Sequence, residues 1–267
     1  MAVQKDHTII NNLLYSWVDK VQRGNEQFVP DHSLGYIISG ETHITSNNGI
    51  TVLKAGTIGI VKRYQLVKSV KIPPPDGEFT AINIYFNQDI LRNYSRERNI
   101  EASGRYPGEG YIFPDDPFIK GFFESLLPYF KHPSQLSNAL TELKTKEAIE
   151  LVLRVAPQLK DLLFDFAEPH KIDLEEFMQK NFMYNVPIEK FAQLTGRSLA
   201  SFKRDFEKIF SQSPGKWLQE RRLSEAHYLI SKKGKRSSDV YIEVGFENLS
   251  HFSFAFKKEY GIAPSAL

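Results

Sequence analysis

The stretch Leu199-Ala200-Ser201-Phe202-Lys203-Arg204-Asp205-Phe206-Glu207-Lys208-Ile209-Phe210 returns fifty residues later as Leu249-Ser250-His251-Phe252-Ser253-Phe254-Ala255-Phe256-Lys257-Lys258-Glu259-Tyr260. Each copy runs on to a proline, Pro214 and Pro264, and each follows a short amphipathic segment that meets a glycine, Gly196 or Gly245. A self-similar segment of this length marks a repeated supersecondary unit. Pro187 suits the first position of the earlier helix, where no donor is wasted. Gly196 and Gly245 can take the left-handed conformation that stops a helix and turns the chain. Ser198 and Asn248 are the residue types that cap the helix to follow. Phe202 and Phe206 share one face, as do Phe252 and Phe256, so these aromatics must pack on the preceding helix. The other face displays Ala200, Ser201, Lys203 and Arg204 in the first copy, and Ser250, His251, Ser253 and Lys257 in the second. Helix, glycine turn, second helix with a free face is a helix-turn-helix, whose second helix can enter a DNA major groove.

Between the copies, residues 214–230 read as one helix, with Trp217, Leu218, Leu223, Ala226, Leu229 and Ile230 as its buried stripe. A rigid connection would hold two readers on one face of a duplex, about 34 Å apart. Arg204 and Lys203 begin the exposed face of the first reader, and arginine is the usual bidentate donor to guanine O6 and N7. Lys208, Lys257, Lys258 and Arg197 fall where phosphates would be met, which positions a protein without specifying sequence. His251 fits a base contact, a phosphate contact or a half-buried capping role.

The chain has 267 residues, 41% hydrophobic and 25% charged, an ordinary globular composition. It contains no cysteine, which excludes disulfides, thiol nucleophiles, iron–sulfur clusters and zinc fingers. No apolar run approaches the roughly 20 residues that span a bilayer. The start, Met1 to His7, lacks the apolar block of a leader. A cytoplasmic protein with no membrane partner is expected. The net charge of +2 divides into −2 over residues 1–169 (18 Lys and Arg, 20 Asp and Glu) and +4 over residues 170–267 (16 and 12). A basic tail behind an acidic front is a mild pointer to a polyanionic partner.

The front half reads as β structure. Thr42–Thr45 and Ile50–Leu53 flank Asn47-Asn48-Gly49, a strong hairpin signal, with further short runs at Tyr36–Ile38, Ile58–Val61 and Phe79–Phe86. A sandwich or small barrel is expected. From about Pro117 the period becomes helical, with Leu136, Leu140, Leu143, Ala148, Leu151, Val152 and Val155 at helix spacing until Pro157. Such a helix either packs on its own sheet or pairs with a second copy. Ala167-Glu168-Pro169-His170 is the natural linker.

Catalysis finds no support. His32, Glu41 and His43 lie within a dozen residues but lack the spacing of a metal set, and Asp115-Asp116 and Glu175-Glu176 have no acid–base partner. There is no phosphate-cradling glycine loop and no nucleophile elbow. No cofactor, no metal and no enzymatic activity are expected.

Residues 172–266 resemble the AraC/XylS bacterial transcription regulators. The resemblance rests on Arg222-Leu223, Ala226 and Leu229-Ile230, and on Val244-Gly245-Phe246, Ser250, Phe252, Phe256-Lys257-Lys258-Glu259-Tyr260-Gly261 and Pro264. It implies a seven-helix domain that contacts two adjacent major-groove segments, with Ala200, Lys203 and Arg204 matching the contact positions of the first reader and Ser250, His251 and Ser253 those of the second. Arg197, Ser198, Ser201, Lys208, Asn248, Lys257 and Lys258, read above as caps, exposed-face residues or phosphate contacts, complete the set expected at the DNA. It also implies a front extension that is cupin-like, with dimerisation helices. Three residues depart from the pattern: Phe254 replaces a polar or basic residue, Tyr241 a small one, and Ser211 a frequent glycine.

The expected fold is therefore α+β: a cupin-like β domain over 1–116, a helical dimerisation segment and linker over 117–169, and a tandem helix-turn-helix domain over 170–267. The expected function is that of a sequence-specific DNA-binding transcription regulator, an activator in the favoured reading. Double-stranded DNA and RNA polymerase are its implied partners, and the residues leave open a small-molecule or protein effector and a homodimer. The alternative is a sensor whose helical domain has lost specific DNA recognition.

Overall fold

The computed structural model describes residues 7–24 and 27–267. Met1 to Asp6, most of the start read above for a leader, lies outside the described residues. The chain forms two compact units, Met1–Ala167 and Glu168–Leu267.

The strands of the first unit are β1 (His7–Ile10), β2 (Leu13–Val18), β3 (Gln22–Arg23), β4 (Phe28–Val29), β5 (His32–Ser39), β6 (Glu41–Ser46), β7 (Gly49–Lys54), β8 (Ile58–Val61), β9 (Gln65–Leu66), β10 (Lys68–Ile72), β11 (Phe79–Phe86) and β12 (Gly110–Ile112). A six-stranded antiparallel sheet runs β1-β2-β11-β5-β8-β12, and a four-stranded one runs β3-β10-β6-β7. The expected hairpin is β6–β7, closed by the pair Ser46 and Gly49 around Asn47-Asn48. A second hairpin, β1–β2, closes around Asn11-Asn12, with Asn11 at φ 53°.

Side chains alternate across a strand, so each strand of the large sheet has two different faces. One face carries Leu13, Leu34, Tyr36, Ile58, Ile60, Ile82, Ile84 and Phe86, all within the main core. The other turns Ser16, Ser33, Gly35, Gly59, Ala81 and Asn83 toward the small sheet, and they line a cavity of about 1210 Å³. Larger side chains, among them Leu14, Ile37, Leu53 and Phe79, line the same open cleft, where Val18, Ile37, Phe79 and Ala81 form a minor core.

Four helices cover the apolar face: α1 (Gln88–Arg98), α2 (Pro117–Lys131), α3 (Asn138–Val155) and α4 (Lys160–Leu163). Leu91, Tyr94, Phe122, Phe123, Ile149 and Val152 join the sheet residues in one core. α3 thus packs on its own sheet, and it stops at Ala156, before Pro157.

Near the end of this unit His32 is fully buried. Its Nδ1 accepts the Arg63 main-chain N–H at 3.2 Å, and Nε2 meets no partner among the described residues. Burial, reinforced by the Arg63 and Lys62 cations, pushes its pKa down to about 3. The buried Arg63 guanidinium donates to the main-chain carbonyls of Asp165 and Ala167 at 3.0 and 3.2 Å.

The second unit contains α5 (Leu174–Asn181), α6 (Ile188–Leu194), α7 (Leu199–Phe210), α8 (Pro214–Ser231), α9 (Ser237–Glu243) and α10 (Leu249–Tyr260), closed by a 3₁₀ turn at Pro264–Ala266. α6–α7 and α9–α10 are the two helix-turn-helix pairs, and α8 is the continuous helix between them.

Candidate nucleic-acid interface

The two turns are built alike. In the first, Gly196 sits at φ 64°, its N–H donates to the Gln193 carbonyl, and the Arg197 N–H reaches back to the Ala192 carbonyl. In the second, Gly245 sits at φ 97°, with the same pair of bonds from Gly245 to Ile242 and from Phe246 to Tyr241. This double bond pattern satisfies the last carbonyls of a helix through a left-handed residue. Glycine is required for space as well as for φ. A Cβ on Gly196 would strike the main chain of His170 and Lys171, and one on Gly245 would lie 2.8 Å from the Met183 carbonyl oxygen.

Each reading helix starts on a side-chain cap, as its sequence implies. Ser198 Oγ accepts the Ser201 N–H at 3.2 Å, and Asn248 Oδ1 accepts the His251 N–H at 2.7 Å. Inward, Phe202 and Phe206 are fully buried, and Phe206 meets Trp217 of α8 edge-on at 5.6 Å. Phe252 and Phe256 are buried against Leu223, Ala226, Val240 and Val244, with Tyr241 half-buried at the rim.

Burying those aromatics leaves the opposite face free. On α7, Ala200, Lys203 and Arg204 are exposed, Ser201 is half-buried, and Lys208 is exposed in the last turn. Arg204 extends into solvent, with only a 3.3 Å bond to Ser201 Oγ and a 3.7 Å approach to Asp205. On α10, Ser250, Lys257 and Lys258 are exposed and Ser253 is half-buried. His251 is exposed but leans its ring on Phe246, centroids 5.6 Å apart.

Arg197 is the correction. Sequence placed it at a phosphate, but its side chain is only 7% exposed and its charge is consumed internally. It donates to the Asp205 carboxylate at 3.2 Å and to the carbonyls of Ile172 and Thr195 at 2.9 and 2.8 Å. The guanidinium in turn holds the Asp205 carboxyl below its ordinary range, with help from Lys171. Arg197 ties the start of the unit to α7, and it is not a surface cation.

Arg222, noted in the sequence only as part of a pattern, has a matching role. From the middle of α8 it donates to the carbonyls of Phe182 at 2.8 Å, Tyr184 at 2.8 Å and Gly245 at 3.0 Å. Burial lowers its pKa to about 10. One guanidinium therefore fastens the linking helix to the end of α5 and to the turn of the second module. Spacing alone could not reveal these bonds, because their acceptors are main-chain carbonyls far away in the chain.

His43 and Glu41 pair with each other, Nε2 to Oε1 at 2.8 Å, while His32 is enclosed in the core. Among the described residues no three His, Asp or Glu side chains come together as a metal site, and no helix is long and apolar enough to cross a membrane.

A helix-turn-helix domain profile matches residues 191–267, and a profile of the ExsA N-terminal regulatory domain matches residues 32–163. The thermoregulatory protein LcrF of Yersinia pestis is 25% identical over 233 residues, 85% of this chain and 82% of its own length. The HTH-type transcriptional regulator ExsA of Pseudomonas aeruginosa is 25% identical over 235 residues, 86% of this chain and 83% of its own. The virulence regulon transcriptional activator VirF of Yersinia enterocolitica is 29% identical over 199 residues, 73% of this chain and 69% of its own. With both units matched and the tandem turns built as described, the chain belongs to the AraC/XylS family of transcription regulators.

Proposed function

We propose that this protein is a sequence-specific DNA-binding transcription regulator that acts as an activator in the cytoplasm, without catalytic activity of its own. The observation that carries the reading is the pair of capped helices, α7 and α10, each with a buried aromatic face and a free opposite face, braced by one continuous helix. Residues 170–267 bind DNA. Arg204 and Lys203 reach base edges, with Ala200 and Ser201 packed close to the groove. Ser250, His251 and Ser253 line the second contact. Lys208, Lys257 and Lys258 meet phosphates, and Ser198 and Asn248 cap helices whose N-termini face the backbone.

Residues 1–116 sense a signal and residues 117–169 dimerise. The open cleft between the sheets supports a small-molecule effector, because it combines an apolar lining that includes Leu14, Ile37 and Phe79 with polar groups such as Ser16, Ser33 and Asn83. Phe118 and Leu143, 65% and 63% exposed on α2 and α3, support a homodimer. An activator would also engage RNA polymerase.

A mobility-shift titration against random-sequence competitor tests the reading. The specificity ratio should be at least about 10³ at a salt concentration where non-specific binding has collapsed. Arg204→Ala should lose about 1–3 kcal/mol of specific binding and relax the preference at one base position. Binding that never distinguishes specific from scrambled DNA would overturn the proposal.

A further inference from the structure

The fifty-residue offset of the repeat sets position 204 of α7 against position 254 of α10, and the residues there are Arg204 and Phe254. Both stand on the free face of their helix. The Arg204 side chain is 67% exposed and Phe254 is 71% exposed, while Phe202, Phe206, Phe252 and Phe256 are all buried. Phe254 is the most exposed large hydrophobic residue among those described. Its surroundings on the helix are those of a groove-facing helix: exposed Ser250 one turn before, exposed Lys257 and Lys258 one turn after.

A phenyl ring cannot replace a guanidinium at guanine, because it offers nothing to O6 or N7. The major-groove edge carries one apolar group, the C5-methyl of thymine, and apolar side chains are its natural contact. Leu249, 40% exposed at the first position of α10, adds a second apolar surface on the same helix. The flanking serine is short enough to let the ring approach, and the two lysines can hold the phosphates on either side.

We propose that Phe254 is a specificity-determining residue that reads thymine methyl groups. The two modules then read by different chemistry: α7 through hydrogen bonds to guanine, and α10 through apolar contact with thymine. This rests on the proposed function, in which α10 faces the major groove.

The test uses the full chain and duplexes enriched from a random-sequence pool by binding to it. Thymines in the enriched site are replaced one at a time by deoxyuridine, which removes only the methyl group. Wild-type affinity should fall about fourfold at one or two thymines in one half of the site, the worth of one buried methylene each. Phe254→Ala should bind the thymine and uracil duplexes equally while keeping the preference supplied by Arg204. A repeat selection with Phe254→Arg should recover guanine in place of those thymines. Enrichment with no loss at any uracil, or a Phe254→Ala protein that still discriminates, overturns this inference and leaves the proposed function standing. A pool that yields no enriched sequence overturns both.

Discussion

Ser211 ends α7 in the left-handed region at φ 55°, and its counterpart in the second copy is Gly261 at φ 77°. A residue with a Cβ is disfavoured there by about 1 kcal/mol, so the first module carries strain that the second does not. Ser211→Gly should therefore raise stability by about 0.5–1 kcal/mol in a urea titration, since Ser211 is exposed and its side chain is not needed for packing. His32 should shape the acid limb of stability. Its folded pKa of about 3 lies below the ordinary value of 6.5, so between those values the unfolded chain binds more protons than the folded one. Stability is then complete above about pH 6.5 and is lost as pH falls, with a limiting slope of about 1.4 kcal/mol per pH unit. In denaturant titrations at pH 7, 6 and 5, His32→Leu should flatten that slope. It should also cost about 1–3 kcal/mol at pH 7, because the Arg63 N–H loses its acceptor.

At the scale of elements, the α2–α3 pair presents Phe118 and Leu143 to solvent while burying Phe122, Phe123, Ile149 and Val152 on the sheet. In the proposed homodimer these exposed groups would face the second copy. Leu143→Glu should convert a dimer to a monomer in sedimentation velocity with little change in thermal stability, since Leu143 contributes nothing to the core. The repeat, its caps, its glycine turns and the β6–β7 hairpin were legible in the sequence, because each depends on residue types at short fixed spacings. β1, β2 and α1 were not read, although β2 lies next to β11 in the large sheet. Their signals were present: Asn11-Asn12 between β-forming runs, and Asn87 followed by Ile90, Leu91 and Tyr94 at helix spacing. The sequence also could not show that Arg197 turns inward. A basic residue beside a reading helix suggests a phosphate contact until its partners Asp205, Ile172 and Thr195 are known. The hollow inside the sandwich is of the same kind, since Gly35, Gly59 and Ala81 read as ordinary strand residues until the sheets are stacked.

For the molecule as a whole, rigidity between the modules is the property on which DNA reading depends. α8 is fixed to the first module through Trp217 and to the second through Arg222 and the Leu223–Ala226 surface. Adding five base pairs between the two contacted segments should therefore place them on opposite faces of the duplex and reduce affinity to that of one module. Adding a full turn cannot restore it, because α8 has a single length. A titration with both spaced duplexes checks this, and undiminished binding to either would mean that the joint bends. The same concern with fixed geometry recurs at the other end of the first unit. Arg63 clasps the carbonyls of Asp165 and Ala167 from two residues beyond β8, and Gly59 and Val61 of β8 form part of the cavity wall. One short segment, Gly59 to Arg63, therefore belongs both to the wall of that space and to the clasp on the polypeptide where it leaves the unit.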